Sequence, residues 1–80
     1  MRVYLSQWDE GLFEPLIVVY VGEDKERALR KINEPIKGHN YGKKNEFEVQ
    51  IWDDGELTGR YIWNHGDEVF YYEPQRMEEY

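Results

Sequence analysis

The stretch FEVQIWDDGELTGRYIW, Phe47 to Trp63, reads as a β-hairpin with its register written into the residues. With Asp53-Asp54-Gly55 as a three-residue loop and Gly55 left-handed, Ile51 faces Leu57, Gln50 faces Thr58 and Val49 faces Gly59. The same register sets Glu48 opposite Arg60 and Phe47 opposite Tyr61. Apolar residues then meet on one face, while a polar pair and an opposite-charge pair meet on the other. A slip of one residue would set Arg60 against Val49 and spoil every pair.

A second hairpin precedes it. Arg2 to Trp8 alternates, with Val3 and Leu5 on one side and Tyr4, Ser6 and Trp8 on the other. Asp9-Glu10-Gly11 repeats the turn chemistry of Asp53-Asp54-Gly55, each triplet following a Trp, and the partner strand is expected over Leu12 to Val21. Pro15 donates no backbone hydrogen bond, so the first half of that strand belongs at an edge or a bulge. The unbroken apolar run from Leu16 to Val21 predicts a strand covered on both faces, central in the sheet.

Asp24 is the expected N-cap of the helix that follows, with Ala28, Leu29 and Ile32 as a narrow apolar stripe for the sheet. Glu23 with Arg27, and Glu26 with Arg30, lie at i, i+4. Pro35 ends the helix near Asn33 or Glu34. About ten residues give a helix roughly 15 Å long, too short to persist without the sheet. An irregular loop, PIKGHNYGKKN, spans Pro35 to Asn45. After the Phe47–Trp63 hairpin, Asn64-His65-Gly66-Asp67 is a turn and Glu68 to Glu73 a last strand, which Pro74 stops. A two-residue turn pairs Ile62 with Val69 and a three-residue turn pairs Tyr61 with Val69; both stand open at this point.

The order β-β-α-β-β-β predicts an α+β domain, residues 1–74, with one helix packed on a mostly antiparallel sheet of four or five strands. Residues 75–80 read as a frayed acidic tail. Leu, Ile, Val and Phe make up 19 of the 80 residues, enough for a folded core in one small domain. There is no cysteine, no apolar run long enough to span a bilayer and no signal-peptide pattern, which fits a cytoplasmic protein.

The net charge of −7 is unevenly spread. Residues 25 to 44 carry seven bases (Lys25, Arg27, Arg30, Lys31, Lys37, Lys43 and Lys44) against two acids, a balance of +5, and the rest of the chain stands at −12. Arg27, Arg30, Lys31, Lys37, Lys43 and Lys44 therefore form a candidate basic patch for a phosphate backbone. The surrounding −12 argues against nucleic acid and for bases that neutralise an acidic sheet.

Catalytic, cofactor and metal sites find little support. Ser6 stands mid-strand without a base beside it, His39 and His65 sit in turns beside glycine, and Asp53-Asp54-Gly55-Glu56 lacks the alternating spacing of a calcium loop. The expectation is a non-enzymatic protein. Aromatic residues among carboxylates suit an interface instead. In the expected register Trp52 and Ile62 share a side with Glu48, so Tyr4, Trp8, Glu48, Trp52, Asp53, Asp54 and Ile62 are the candidate contacts for a protein partner with a basic surface. An inhibitor or antitoxin-like blocker, of the kind that small phage or mobile-element proteins provide, has this charge pattern; that step is analogy. Pairing of the exposed sheet face with a copy of itself, as a homodimer, is the alternative, and nucleic-acid binding through residues 25–44 is the third reading.

Overall fold

The computed structural model describes residues 1–8, 17–34, 47–64 and 66–75. Strands β1 (Arg2–Trp8) and β2 (Ile17–Gly22) precede helix α1 (Lys25–Arg30), which tightens into a 3₁₀ turn over Lys31–Asn33. Strands β3 (Phe47–Asp53), β4 (Glu56–Asn64) and β5 (Val69–Pro74) follow. The five strands form one sheet in the order β2-β1-β3-β4-β5, and every neighbouring pair is antiparallel.

The element order is the one expected, but β2 is an edge strand rather than a central one. Its continuous apolarity does not reflect cover on both faces, because Val18 and Val21 are exposed. The chain passes from β2 through α1 to β3, which pairs on the far side of β1, and so β1 rather than β2 gains neighbours on both edges. A bulge in β2, between the Ser6–Tyr20 and Gln7–Val18 pairs, bends that edge.

The helix begins as its residues dictate: the Asp24 carboxylate accepts from the Arg27 N–H at 3.2 Å. Ala28 and Ile32 are buried and Leu29 half-buried, as the stripe predicts. The α-helical part is only six residues long. The expected Glu23–Arg27 and Glu26–Arg30 pairs are not among the ion pairs of the described residues. Lys31 reaches Glu34 instead, and Arg27 lies over the Tyr20 ring. So short a helix needs the sheet, and Ser6 supplies a fixed point. Fully buried in mid-β1, its Oγ donates to the Ala28 carbonyl at 2.7 Å.

The core lies between α1 and one face of the sheet. Tyr4, Trp8, Phe47, Val49 and Ile51 are buried there with Ala28 and Ile32. The strand register explains the set: Tyr4 pairs with Ile51, Ser6 with Val49 and Trp8 with Phe47, so two central strands send alternate side chains to one face. Trp8 and Phe47 meet with ring centroids 4.9 Å apart.

The β3–β4 turn is tighter than the sequence suggested. Asp54 (φ 50°) and Gly55 (φ 85°) are both left-handed and form a two-residue loop, with Asp53 paired to Glu56. A bulge then leaves Thr58 unpaired, after which Ile51 meets Gly59 and Gln50 meets Arg60. Relative to expectation, the far half of β4 has moved by two residues. Beyond the bulge this even shift changes partners but keeps each side chain on its face, whereas Leu57, expected opposite Ile51, lies opposite Trp52 on the other side of the sheet. Thr58 Oγ1 donates to Asp53 Oδ2 at 2.8 Å and ties the bulge to the turn.

The β4–β5 connection takes neither of the two registers left open. Asn64 pairs with Val69 across a four-residue turn. The Asn64 side chain accepts from the Gly66 and Asp67 N–H groups, and its carbonyl accepts from Glu68 N–H at 2.8 Å. Asparagine as a turn organiser made the turn longer than loop counting allowed.

Candidate functional site

The face of the sheet away from α1 carries Val3, Leu5 and Gln7 from β1, Glu48, Gln50 and Trp52 from β3, and Arg60 and Ile62 from β4. Tyr71 and Glu73 of β5 continue it. Its centre is a connected polar network. Glu48 accepts from Gln7 Nε2 at 2.5 Å, from Gln50 Nε2 at 3.4 Å and from Arg60 Nη1 at 3.4 Å. Gln50 Oε1 in turn accepts from Trp52 Nε1 at 3.0 Å, and Arg60 Nη2 donates to Glu73 Oε1 at 2.8 Å. The hydrogen bond to Glu73, then the loss of solvent opposing it, then the charges of Glu73 and Glu48 act on Arg60, and the balance raises its pKa and keeps it cationic. Two carboxylates share one guanidinium, so the centre of the face carries one net negative charge.

This geometry orients side chains. Trp52 is held by its indole N–H, and Gln7 is buried at 5 % exposure although it lies on the face away from the core. Around the network stand apolar residues that remain accessible: Val18, Val21, Val69 and Tyr71 are each about half exposed.

The structure divides the residues that sequence reasoning grouped together. Glu48, Trp52 and Ile62 do share the open face. Tyr4 and Trp8 do not, being 8 % and 3 % exposed in the core beneath α1. The register of β1 on β3 decides this, because it places Tyr4 and Trp8 opposite Ile51 and Phe47. Asp53 and Asp54 stand at the turn, where Arg2 donates to both Asp53 oxygens at 2.8 and 2.9 Å and the Met1 amine pairs with Asp54. The Arg2 and Thr58 hydrogen bonds hold the Asp53 carboxyl down at about 2. Gln7 and Glu73 belong to the site and were missed; the strand alternation of Gln7 with Val3 and Leu5 was the available signal.

The described bases of the helix, Lys25, Arg27, Arg30 and Lys31, lie on the other side of the sheet. Arg27, Arg30, Lys31, Asn33 and Glu34 line a shallow concavity on the helix. Lys31 is paired with Glu34, Arg27 lies 5.6 Å from the centre of the Tyr20 ring, and Lys25 lies 5.0 Å from that of Tyr61. Lys37, Lys43, Lys44, His39 and His65 lie outside the described residues, as do the Asp9-Glu10-Gly11 turn and residues 76–80. Among the described residues no cluster of three or more acidic or histidine side chains converges as a metal site would require. No described helix is long and apolar enough to cross a membrane.

No protein-family profile matches the chain, and comparison with curated proteins and with solved structures returns no significant similarity.

Proposed function

We propose that the protein acts by non-catalytic contact with another protein, and that the open face of the sheet receives a partner with a basic surface. The observation that carries this reading is the network joining Gln7, Glu48, Gln50, Trp52, Arg60 and Glu73, which fixes an aromatic ring and two carboxylates on a face that α1 leaves uncovered. A preorganised aromatic anchor beside desolvated hydrogen-bonding groups is the usual make-up of an interface centre, because little side-chain entropy remains to be lost.

Charge sets the chemistry of the partner. Residues 47–64 and 66–75 hold seven acids against the single base Arg60, a balance of −6 on the half of the sheet that carries the network. Arg2 offsets Asp53, but Glu56, Asp67 and Glu68 stand exposed at the rim. A rim of this sign accelerates encounter with cationic surfaces and rejects anionic ones. The bases of α1 face the other way and leave that field intact. The role of an inhibitor or blocker of a basic, nucleic-acid-handling protein follows this charge logic and remains analogy.

The test is affinity capture from nuclease-treated bacterial lysate by the wild-type chain and three variants, with elution by rising salt. Capture of a basic protein that is lost with Trp52→Ala and Glu48→Lys, and kept with Arg30→Glu, supports the reading. Capture that survives both open-face changes, or that fails only with Arg30→Glu, refutes it and moves the site to the helix.

A further inference from the structure

We infer that strand β5 pairs edge to edge with β5 of a second copy, joining the two sheets, with five described strands from each copy, into one. The inference is independent of what the open face binds. Its starting point is the direction of the backbone groups along β5. Gln75 N–H donates to the Thr58 carbonyl at 3.0 Å, and Gly59 pairs with Pro74. In an antiparallel ladder bonded and non-bonded pairs alternate, so Val69, Tyr71 and Glu73 spend their backbone groups on β4. Phe70 and Tyr72 therefore turn their N–H and C=O groups to the edge on which no strand pairs among the described residues, and Pro74, which has no N–H, falls in the same outward phase.

Edge strands in this position are normally protected by a bulge, an inward charge or a covering segment. The opposite edge, β2, carries a bulge. Across the Val69-Phe70-Tyr71-Tyr72 run β5 has no bulge against β4 and no charged residue, and Val69, Tyr71 and Tyr72 are 53, 45 and 52 % exposed.

The choice of a second copy rests on how well β5 complements itself. With Tyr71 on the two-fold axis, Phe70 of each chain exchanges both backbone hydrogen bonds with Tyr72 of the other. Glu73, already held by Arg60, then faces Val69 of the copy, and no like charges stand directly opposite one another. Neighbouring registers fail. Centring on Phe70 sets Glu73 against Asp67 and requires the Glu68 N–H, which is already given to Asn64, from a left-handed residue at φ 55°. Centring on Tyr72 puts the Pro74 ring against the Phe70 carbonyl inside the ladder. The left-handed Glu68 at one end and Pro74 at the other thus frame one self-complementary window. The two-fold axis runs perpendicular to the sheet, so both open faces point the same way.

Each copy carries a net charge of −7, so added salt should strengthen this dimer, whereas it releases a basic partner. The experiment is sedimentation equilibrium over a wide concentration range at low and high salt, with amide hydrogen exchange on the same samples. The expected mass rises with concentration from 9.8 kDa to twice that, more readily at high salt. The Phe70 and Tyr72 amides, fast in dilute solution, should slow by about tenfold or more as the dimer forms, while those of Tyr71 and Glu73 are protected throughout. Tyr72→Pro removes an outward N–H and should leave a folded monomer; if it does not fold, Tyr71→Glu, which sets like charges across the axis, replaces it. A mass of 9.8 kDa under all conditions, a dimer whose Phe70 and Tyr72 amides stay fast, or wild-type dimerisation by the folded variant each overturns the inference.

Discussion

Replacing Ser6 by Ala removes one hydroxyl and tests what fastens the helix to the sheet. Ser6 Oγ donates to the Ala28 carbonyl at 2.7 Å, and both residues are fully buried, so water has no route to replace the lost donor. A buried carbonyl left unpaired costs about 1–3 kcal/mol. For a chain of 80 residues, an unfolding entropy of about 2.1 cal/mol/K per residue makes 1 kcal/mol worth roughly 6 °C in Tm. The expected loss is therefore about 6–18 °C, read by circular dichroism with urea unfolding as an independent measure. The effect should also be local: amides of Ala28 to Asn33 should gain exchange relative to those of β3. A fall in Tm below about 3 °C, equivalent to roughly half a kcal/mol, would show that packing of Ala28 and Ile32 holds the helix without this bond.

Two further expectations concern the acid limit and the two faces of the sheet. The Asp53 carboxyl titrates at about 2 when folded, below its ordinary value of 3.8. A depressed carboxylate stabilises the fold above the unfolded value, so its contribution is complete above pH 3.8 and disappears as pH falls through about 2. Arg2→Met should return the Asp53 titration, followed by side-chain carboxyl NMR, towards 3.8 and start acid unfolding at a higher pH; an unchanged titration would remove Arg2 as the cause. Ile51→Ala, at 2 % exposure in the core, should cost about 2–5 kcal/mol in urea unfolding, and Ile62→Ala on the open face less than half as much. Equal costs would mean that the open face is as tightly packed as the core.

Much of the local structure was legible because local physics decides it. The Arg2–Trp8 alternation, the Asp24 cap and the Ala28–Ile32 stripe rest on contacts within a few residues and appear as expected. The hairpin was readable as a hairpin, but its loop length depended on whether Asp54 accepts a left-handed backbone, and its register depended on the bulge at Thr58. The shorter loop moved Leu57 across to the side of Trp52, but beyond the bulge the shift is even, which is why Glu48, Trp52 and Ile62 share a face as expected. Tyr4 and Trp8 were assigned to the same site because alternation within β1 says which side chains share a side and not which side meets the helix. Gln7 and Glu73 escaped notice because their partners, Glu48 and Arg60, are 41 and 13 residues away.

The amino-acid sequence by itself determined the element order, the side-chain alternation of the strands, the capped helix and the separation of charge along the chain. These follow from backbone preference, side-chain periodicity and composition, all of which act over short distances. Only the tertiary structure decided that β3 pairs with β1, and that choice determined the rest. It moved the most apolar strand to an edge, buried Tyr4 and Trp8, assembled the Glu48 network and left β5 as an edge strand among the described residues. Strand order comes from competition among several long-range pairings that satisfy the same local pattern; in the pairing adopted, the short helix packs on β1 and β2 while Phe47, Val49 and Ile51 of β3 complete the core with Ala28 and Ile32.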